Sequence, residues 1–510
     1  MLRQLERLGM HKHVDAWLRE AALEGGAIQE IQRVLDLFPF LPHLFAVGGC
    51  VRDLSLGKRP HDVGLCTPVA PEEVIRRLKA AGYPVHKETD LRHGTVFTAA
   101  QGENYEITTF RVDVGSHGHK ADVEFLTVDE NNPEQVMQSL DLDLSRRDLT
   151  INAMAMGRDS QIRDPFNGQQ DLNNKIVRCV GNPIERFKED LLRIVRAARF
   201  AARLNFSIDP ETWDAMQTMA PELIQNLKFG DDRKAVDSEI DINRIVMEID
   251  SAFQSFHPSI FLRIMQNLGI LPAIIPEFAN LEQMQQNPEH HPEGDVFTHI
   301  LEVVDRTPPG DIRWDALLHD VGKGIHYQPV EGQSYYSFHG HEQTGIGTED
   351  QPSVIRQIGK RLRLPERLIR DLEATVSLHM RPMNLDQSGY SARSLRRFHQ
   401  EMGETPEERE RIRQRLMILH MADSGTSEED PRNQTLFTTP ALPEQAKGQK
   451  TIVQGRDLVA RGFRPGPEMG NIIRETQEIF IETGITDPNQ LIDMALGKME
   501  MIDSTLLEQP

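Results

Sequence analysis

Asp62 stands two residues before Gly64 in a stretch running from Gly48-Gly49-Cys50-Val51-Arg52-Asp53 to Asp62-Val63-Gly64, and its residue types suit phosphate and divalent-metal chemistry. Two glycines leading into a helix start let backbone N–H groups approach phosphates closely, with Arg52 as the cationic partner. A strand carrying Asp-x-Asp sends both carboxylates to one side, where they can share metal ions. Here the second position is glycine, which has no ligand to give. The expectation is a nucleotide-handling site with one carboxylate missing at its centre, and with Glu106 as a further acid. A second set of chemical residues lies far downstream: His299, His319-Asp320, His341, His379 and Asp423. Mixed imidazole and carboxylate ligation suits Mg²⁺, Mn²⁺, Ni²⁺ or Fe²⁺ better than a structural zinc, whose sites favour cysteine.

The elements that position these residues read as an α/β head on a long helical body. Leu44 to Val47 reads as a strand entering the glycine turn, and alternation recurs at Thr95 to Thr98 and Tyr105 to Phe110, which predicts a small mixed sheet. Pro71 to Ala81 has helical spacing with proline suited to the first turn. Residues 1–40 read as a helical lead-in. Helical patterns dominate from about residue 183, and Asp423 to Lys450 reads as a linker. The predicted divisions are a head at 1–160, a helical neck and body at 161–285, a histidine-rich helical domain at 286–425 and a helical tail at 426–510.

Five motifs, in order, resemble the class II tRNA nucleotidyltransferases and their poly(A) polymerase relatives. They are Val47 to Asp53, Arg92-His93-Gly94-Thr95-Val96, Tyr105 to Arg111, Arg146-Arg147-Asp148-Leu149-Thr150-Ile151-Asn152-Ala153 and Glu189-Asp190-Leu191-Leu192-Arg193. The resemblance implies template-independent addition or repair of the CCA end of tRNA from CTP and ATP with Mg²⁺. It makes Asp62 the first of two metal-binding acids and puts Gly64 in the place of the second. It gives Gly48, Gly49, Arg52, Arg146, Arg147 and Asp148 contacts with the incoming nucleotide. It also makes Asp190 and Arg193 the readers of the base. A carboxylate accepts from the exocyclic amine of cytosine or adenine and repels the carbonyl oxygens of uracil and guanine; an i,i+3 helix salt bridge is the plainer alternative. Arg196 and Arg199, on the same stripe, would steady phosphates.

The context Leu317-Leu318-His319-Asp320-Val321-Gly322-Lys323-Gly324 resembles the HD phosphohydrolase superfamily. This implies a metal-dependent phosphomonoesterase or 2′,3′-cyclic phosphodiesterase that holds its ion through His299, His319, Asp320, His341, His379 and Asp423. His290, His291 and His339 are expected to be bystanders. Two alternatives stay open: a poly(A) polymerase, or a tRNA-binding head without transfer activity in which the HD domain alone works.

The chain has 510 residues, enough for about three domains. A net charge of −21 argues against wholesale coating of nucleic acid. The segment from Arg186 to Arg203 is the local exception, with Arg186, Lys188, Arg193, Arg196, Arg199 and Arg203 against Glu189 and Asp190. No stretch reads as a membrane span or a secretory signal, and Cys50, Cys66 and Cys179 form neither a zinc pattern nor a disulfide framework. A cytoplasmic protein with no obligate protein partner is the expectation.

Overall fold

In the computed structural model, the described residues are 26–60, 62–87, 89–114, 122–229, 240–347, 351–388, 391–438, 452–463, 466–483 and 485–507. The expected lead-in is represented by α1 (Gly26–Asp36), and residues 1–25 lie outside the described set. Next come β1 (Phe45–Val47), α2 (Gly49–Ser55), β2 (Leu65–Thr67), α3 (Pro71–Ala80), β3 (Thr95–Ala100), β4 (Glu103–Thr109), the paired strands β5 (Arg111–Val114) and β6 (Asp122–Phe125), α4 (Pro133–Ser145), β7 (Ala155–Met156) and β8 (Ile162–Arg163). One six-stranded mixed sheet has the order β3-β4-β2-β1-β7-β8. Its β2–β4 pair is parallel and its other pairs are antiparallel. The parallel register sets Leu65 beside Ile107, both in the core, so positions 64 and 106 fall on the opposite face by the two-residue period of a strand.

Local sequence explains the flanking helices. Pro71 opens α3, Glu72 and Glu73 sit in its first turn and Arg77 and Lys79 in its last, which complements the helix dipole. Val74 and Leu78, four residues apart, bury one face against the sheet's core.

The helical part continues with α5 (Gly168–Asn174), α6 (Pro183–Glu189), α7 (Leu192–Leu204), α8 (Pro210–Gln225), α9 (Ile242–Ala252), α10 (Pro258–Asn267), α11 (Ile270–Ile274), α12 (Val296–Arg306), α13 (Arg313–Leu318), α14 (Val354–Arg361) and α15 (Glu366–Leu378). The chain forms two compact units, one of Met1–His379 with Ile418–Glu428 and one of Met380–Met417 with Glu429–Pro510. In the first, a single apolar core runs from Ile31 and Ile107 through Ile194 and Phe261 to Phe297, Leu318 and Leu419. The second contains α16 (Arg381–Ser388), α17 (Ala392–Glu401), most of α18 (Pro406–Ser424), α19 (Pro431–Phe437), α20 (Gly455–Ala460), α21 (Pro467–Thr483) and α22 (Pro488–Leu507), and Leu458, Ile472, Phe480 and Leu491 are among its core residues.

The end of α18 belongs to the first unit and carries Asp423 into it. The expected linker therefore needs correcting. Asp423 is helical, and Asp430 caps α19 by accepting the Arg432 N–H at 2.9 Å, with Pro431 at the first helical position. Residues 439–450 of that stretch lie outside the described set. Among the described residues, no helix is long and apolar enough to cross a membrane.

Candidate functional site

In the head, Gly48 has φ +78°, and a Cβ there would meet Arg147 Nη1 at 2.9 Å, so the turn requires glycine both for its backbone and for the close approach of a cation. The Gly48 N–H donates to the Met154 carbonyl at 3.1 Å. Arg52, expected to face phosphates, is instead buried. Its guanidinium donates to Asp53 (2.8 Å) and Asn152 (2.7 Å) and lies 5.1 Å from the centre of the Phe200 ring. It braces the glycine turn, and a Cβ on Gly49 would lie 3.4 Å from it. Asp62 is exposed just before β2, and the Gly64 carbonyl extends the ladder by accepting the Val47 N–H at 2.9 Å. Glu106 projects from β4 and reaches solvent. Its carboxyl is raised above the ordinary value by partial loss of solvent, with Arg111 opposing and the charge of Asp62 adding.

Asp143 on α4, missed from the sequence, is fully buried and holds both arginines of the Arg146-Arg147-Asp148 motif. Arg146 donates to its Oδ1 at 3.0 and 2.7 Å, and Arg147 to its Oδ2 at 3.3 Å. Burial works against ionisation of Asp143, but the two guanidinium groups outweigh it and keep the carboxyl below its usual value. Its place three and four residues before the arginines was the available signal. Asp148 accepts from Leu149 N–H (2.9 Å), Asn152 (3.3 Å) and Arg196 (2.9 Å).

Asp190 and Arg193 do not share one helix. Asp190 ends α6 with extended dihedrals (φ −154°, ψ 107°), and α7 begins at Leu192. Asp190 Oδ1 accepts the Leu192 N–H at 3.0 Å and Oδ2 accepts Arg244 of α9 at 3.0 Å. The break follows from the preference of aspartate for capping over a helix interior. Arg193, in the first turn of α7, donates to Glu189 and to the Arg186 and Arg146 carbonyls (3.3 and 3.1 Å), which ties the start of α7 to the motif at 146–148. Arg199 is corrected from phosphate contact: it is buried, donates to Glu248 and packs over Phe200 at 4.3 Å. Arg196 is half-buried between Asp148 and Glu248 (2.8 and 3.8 Å). The basic stripe is thus partly neutralised from within by Asp148 and Glu248, which no short-range spacing reveals.

The histidine–aspartate residues converge in the first unit. Ligand atoms of His299, His319 and Asp423 lie within 4.8 Å of one another, as do those of Asp320, His341 and His379, and a further such set, His291, Glu293 and His299, flanks the first and shares its His299. Asp320 joins the groups, with Oδ1 3.1 Å from His341 Nε2 and 3.7 Å from His379 Nε2, and Oδ2 3.3 Å from His319 Nε2 and 3.6 Å from His299 Nε2. Every Nδ1 is held from outside: by Glu293 for His299 (2.6 Å), and by the Ala316, Phe338 and Val376 carbonyls for His319, His341 and His379 (2.9, 2.8 and 2.7 Å). Each ring therefore turns Nε2 inward. His299 Nε2, His319 Nε2 and Asp320 Oδ2 are buried and make no well-aligned hydrogen bond, their near neighbours being Asp423, Lys323 and one another, and such a converging set of inward-facing ligand atoms fits a divalent ion. His299 Nε2 also lies 2.9 Å from Asp423 Oδ1. Burial disfavours a charged His299, but Asp423 and Glu293 outweigh it and push its pKa up to about 9. Burial likewise opposes ionisation of Asp320, while His319 and Lys323 hold its carboxyl well below the usual range. Lys323 Nζ, 2.6 Å from Asp320 Oδ2, went unassigned in the sequence reading although its spacing of three made it visible. His291 is not a bystander, since its Nδ1 lies 3.0 Å from Glu293 Oε1.

The three cysteines are free and buried. Burial pushes the Cys50 and Cys179 thiols up to about 11 and about 12.

The poly(A) polymerase head-domain family matches residues 44–178. The chain is 41% identical over 217 residues to the CCA-adding enzyme of Oceanobacillus iheyensis, covering 42% of this chain and 47% of that one. It is 31% identical over 336 residues to the multifunctional CCA protein of Pseudomonas fluorescens, covering 63% of this chain and 71% of the relative. The match spans about half the length of the first of these relatives. Among solved structures, the Bacillus stearothermophilus CCA-adding enzyme in complex with CTP superposes with a TM-score of 0.58 at 20% identity, over 95% of this chain and 100% of that one. At that identity the likeness speaks for the fold.

Proposed function

We propose that this chain, which belongs to the class II tRNA nucleotidyltransferase and poly(A) polymerase family, adds or repairs the 3′-terminal CCA of tRNA from CTP and ATP without a template. The observation that carries the reading is the linked set around the glycine turn. Arg147 lies against Gly48, Asp143 holds Arg146 and Arg147, and Arg193 donates to the Arg146 carbonyl. Triphosphate and base would thus be positioned by one rigid network. Asp190, fixed by Leu192 and Arg244, is the carboxylate that would accept from an exocyclic amine. Asp62 and Glu106 would hold Mg²⁺, which when bound screens the triphosphate and promotes ionisation of the 3′ hydroxyl.

Gly64 lowers this activity in the proposal. Its Cβ position faces only the Val47 carbonyl, at 3.4 Å, and its φ is not in the left-handed region, so an aspartate is sterically admissible there. Gly64→Asp is expected to raise CMP and AMP incorporation into tRNA lacking its last three nucleotides by about 100-fold, the scale of a misplaced reactive group. Unchanged incorporation would contradict the role given to this position.

The His299 to Asp423 cluster is proposed as a phosphomonoesterase or cyclic phosphodiesterase centre that frees a blocked RNA 3′ end before extension. A divalent ion held there supplies Lewis acidity toward phosphate and activates water. Asp320→Asn should abolish opening of a terminal 2′,3′-cyclic phosphate, read on a gel. Undiminished opening would place that activity elsewhere.

A further inference from the structure

The four histidines of the metal cluster are oriented in two different ways. Nδ1 of His319, His341 and His379 meets a neutral backbone carbonyl, whereas Nδ1 of His299 meets the Glu293 carboxylate at 2.6 Å. The Glu293 side chain is 11% exposed, and the same Oε1 lies 3.0 Å from Nδ1 of His291, whose ring sits edge-on to His299 at 4.9 Å between centroids. Glu293 lies on no regular element, three residues ahead of α12, and Asp295 caps that helix by accepting the Thr298 N–H. The carboxylate is thus held between one imidazole that points at the cluster and another that braces it. A carboxylate acceptor fixes the tautomer with Nε2 bare and raises its basicity more than a carbonyl does.

We infer that Glu293 is a positioning residue that makes the His299, His319 and Asp423 group the tighter of the two ligand groups that Asp320 joins, with His291 holding Glu293 in place. The inference rests on the metal-centre reading above and adds an inequality between its halves. A divalent ion would load the His299 side first, and the group of Asp320, His341 and His379, whose imidazoles hydrogen-bond through Nδ1 to carbonyls and whose nearest outer carboxylate, Glu342, is 3.9 Å from His341 Nδ1, would fill at higher concentration. Removing the Glu293 charge should weaken one side selectively, on the order of the 10- to 100-fold typical of outer-shell partners of ligating histidines.

The test is a titration of Mn²⁺ alone into the full-length, metal-stripped chain, with free Mn²⁺ read by electron paramagnetic resonance. Asp423→Asn and Asp320→Asn mark which sites belong to the cluster. Glu293→Gln keeps an acceptor oxygen for His299 and so should keep the fold, checked by the thermal midpoint of the stripped protein. The expected result is a loss of about 10- to 100-fold at the site that Asp423→Asn also impairs, with the other site within twofold of wild type. Glu293→Asp should recover part of the loss. In parallel, nitrogen-15 spectra of the stripped protein, taken at a pH high enough to leave His299 neutral, should show the variant losing the wild-type preference for a proton on Nδ1. Affinities unchanged by Glu293→Gln, or weakened equally at every site, would overturn the inference while leaving the metal centre standing. A wild-type chain with no Mn²⁺ site sensitive to Asp320→Asn would overturn the centre, and the inference with it.

Discussion

The state of His299 ties a stability effect to the same residue proposed as a metal ligand. Without a metal, Asp423 and Glu293 hold its pKa at about 9 against an ordinary 6.5, so the imidazolium binds its proton more tightly in the folded chain. A raised folded pKa contributes stability that is complete below the unfolded value and is lost as pH rises through the folded one. The metal-stripped protein should therefore lose thermal stability between about pH 6.5 and 9, and His299→Asn should flatten that slope, as followed by circular dichroism melts. A wild-type midpoint independent of pH over this window would contradict the geometry. The convergence of the cluster was legible, since a spread of histidines with an adjacent His319-Asp320 has few plainer uses. Glu293 was not, because it sits in a loop and its partner is six residues away at no helical or strand spacing.

At the scale of elements, what decides the head is the join between α4, the glycine turn and the start of α7. Asp143 ties the arginine motif to α4, and its charge is fully buried. Asp143→Ala would leave the half-buried Arg146 and Arg147 guanidinium groups short of their carboxylate partner, at a cost of about 1–3 kcal/mol. This should appear as a lower denaturant midpoint and a weakened nucleotide affinity together; a stability change below about 1 kcal/mol would show the clamp to be incidental. The sheet strands and α3 were readable from alternation and capping. The break between α6 and α7 was not, because Glu189 to Phe200 has unbroken helical periodicity, and only the competition of the Asp190 side chain for the Leu192 N–H ends the first helix. The burial of Arg52 and Arg199 was hidden for a related reason. A basic stripe looks solvated until a distant acid such as Glu248 is folded against it.

Across the whole molecule, the two chemical centres share one compact unit and one apolar core, and the return of residues 418–428 supplies Asp423 to it. The order of motifs made the head and the histidine cluster legible, whereas the excursion of the chain into a second unit leaves no local mark in the sequence. The central claim is that side chains at Asp190 and Arg193, rather than a complementary strand, choose the next base. The most direct measurement is extension of a tRNA lacking its CCA end by the Gly64→Asp chain, offered all four nucleoside triphosphates with Mg²⁺, with the products sequenced. The account predicts C, C and A followed by arrest, and entry of U once Asp190→Ala is added. Incorporation of U or G as readily as C before that change, or runs of A beyond the third position, would contradict it.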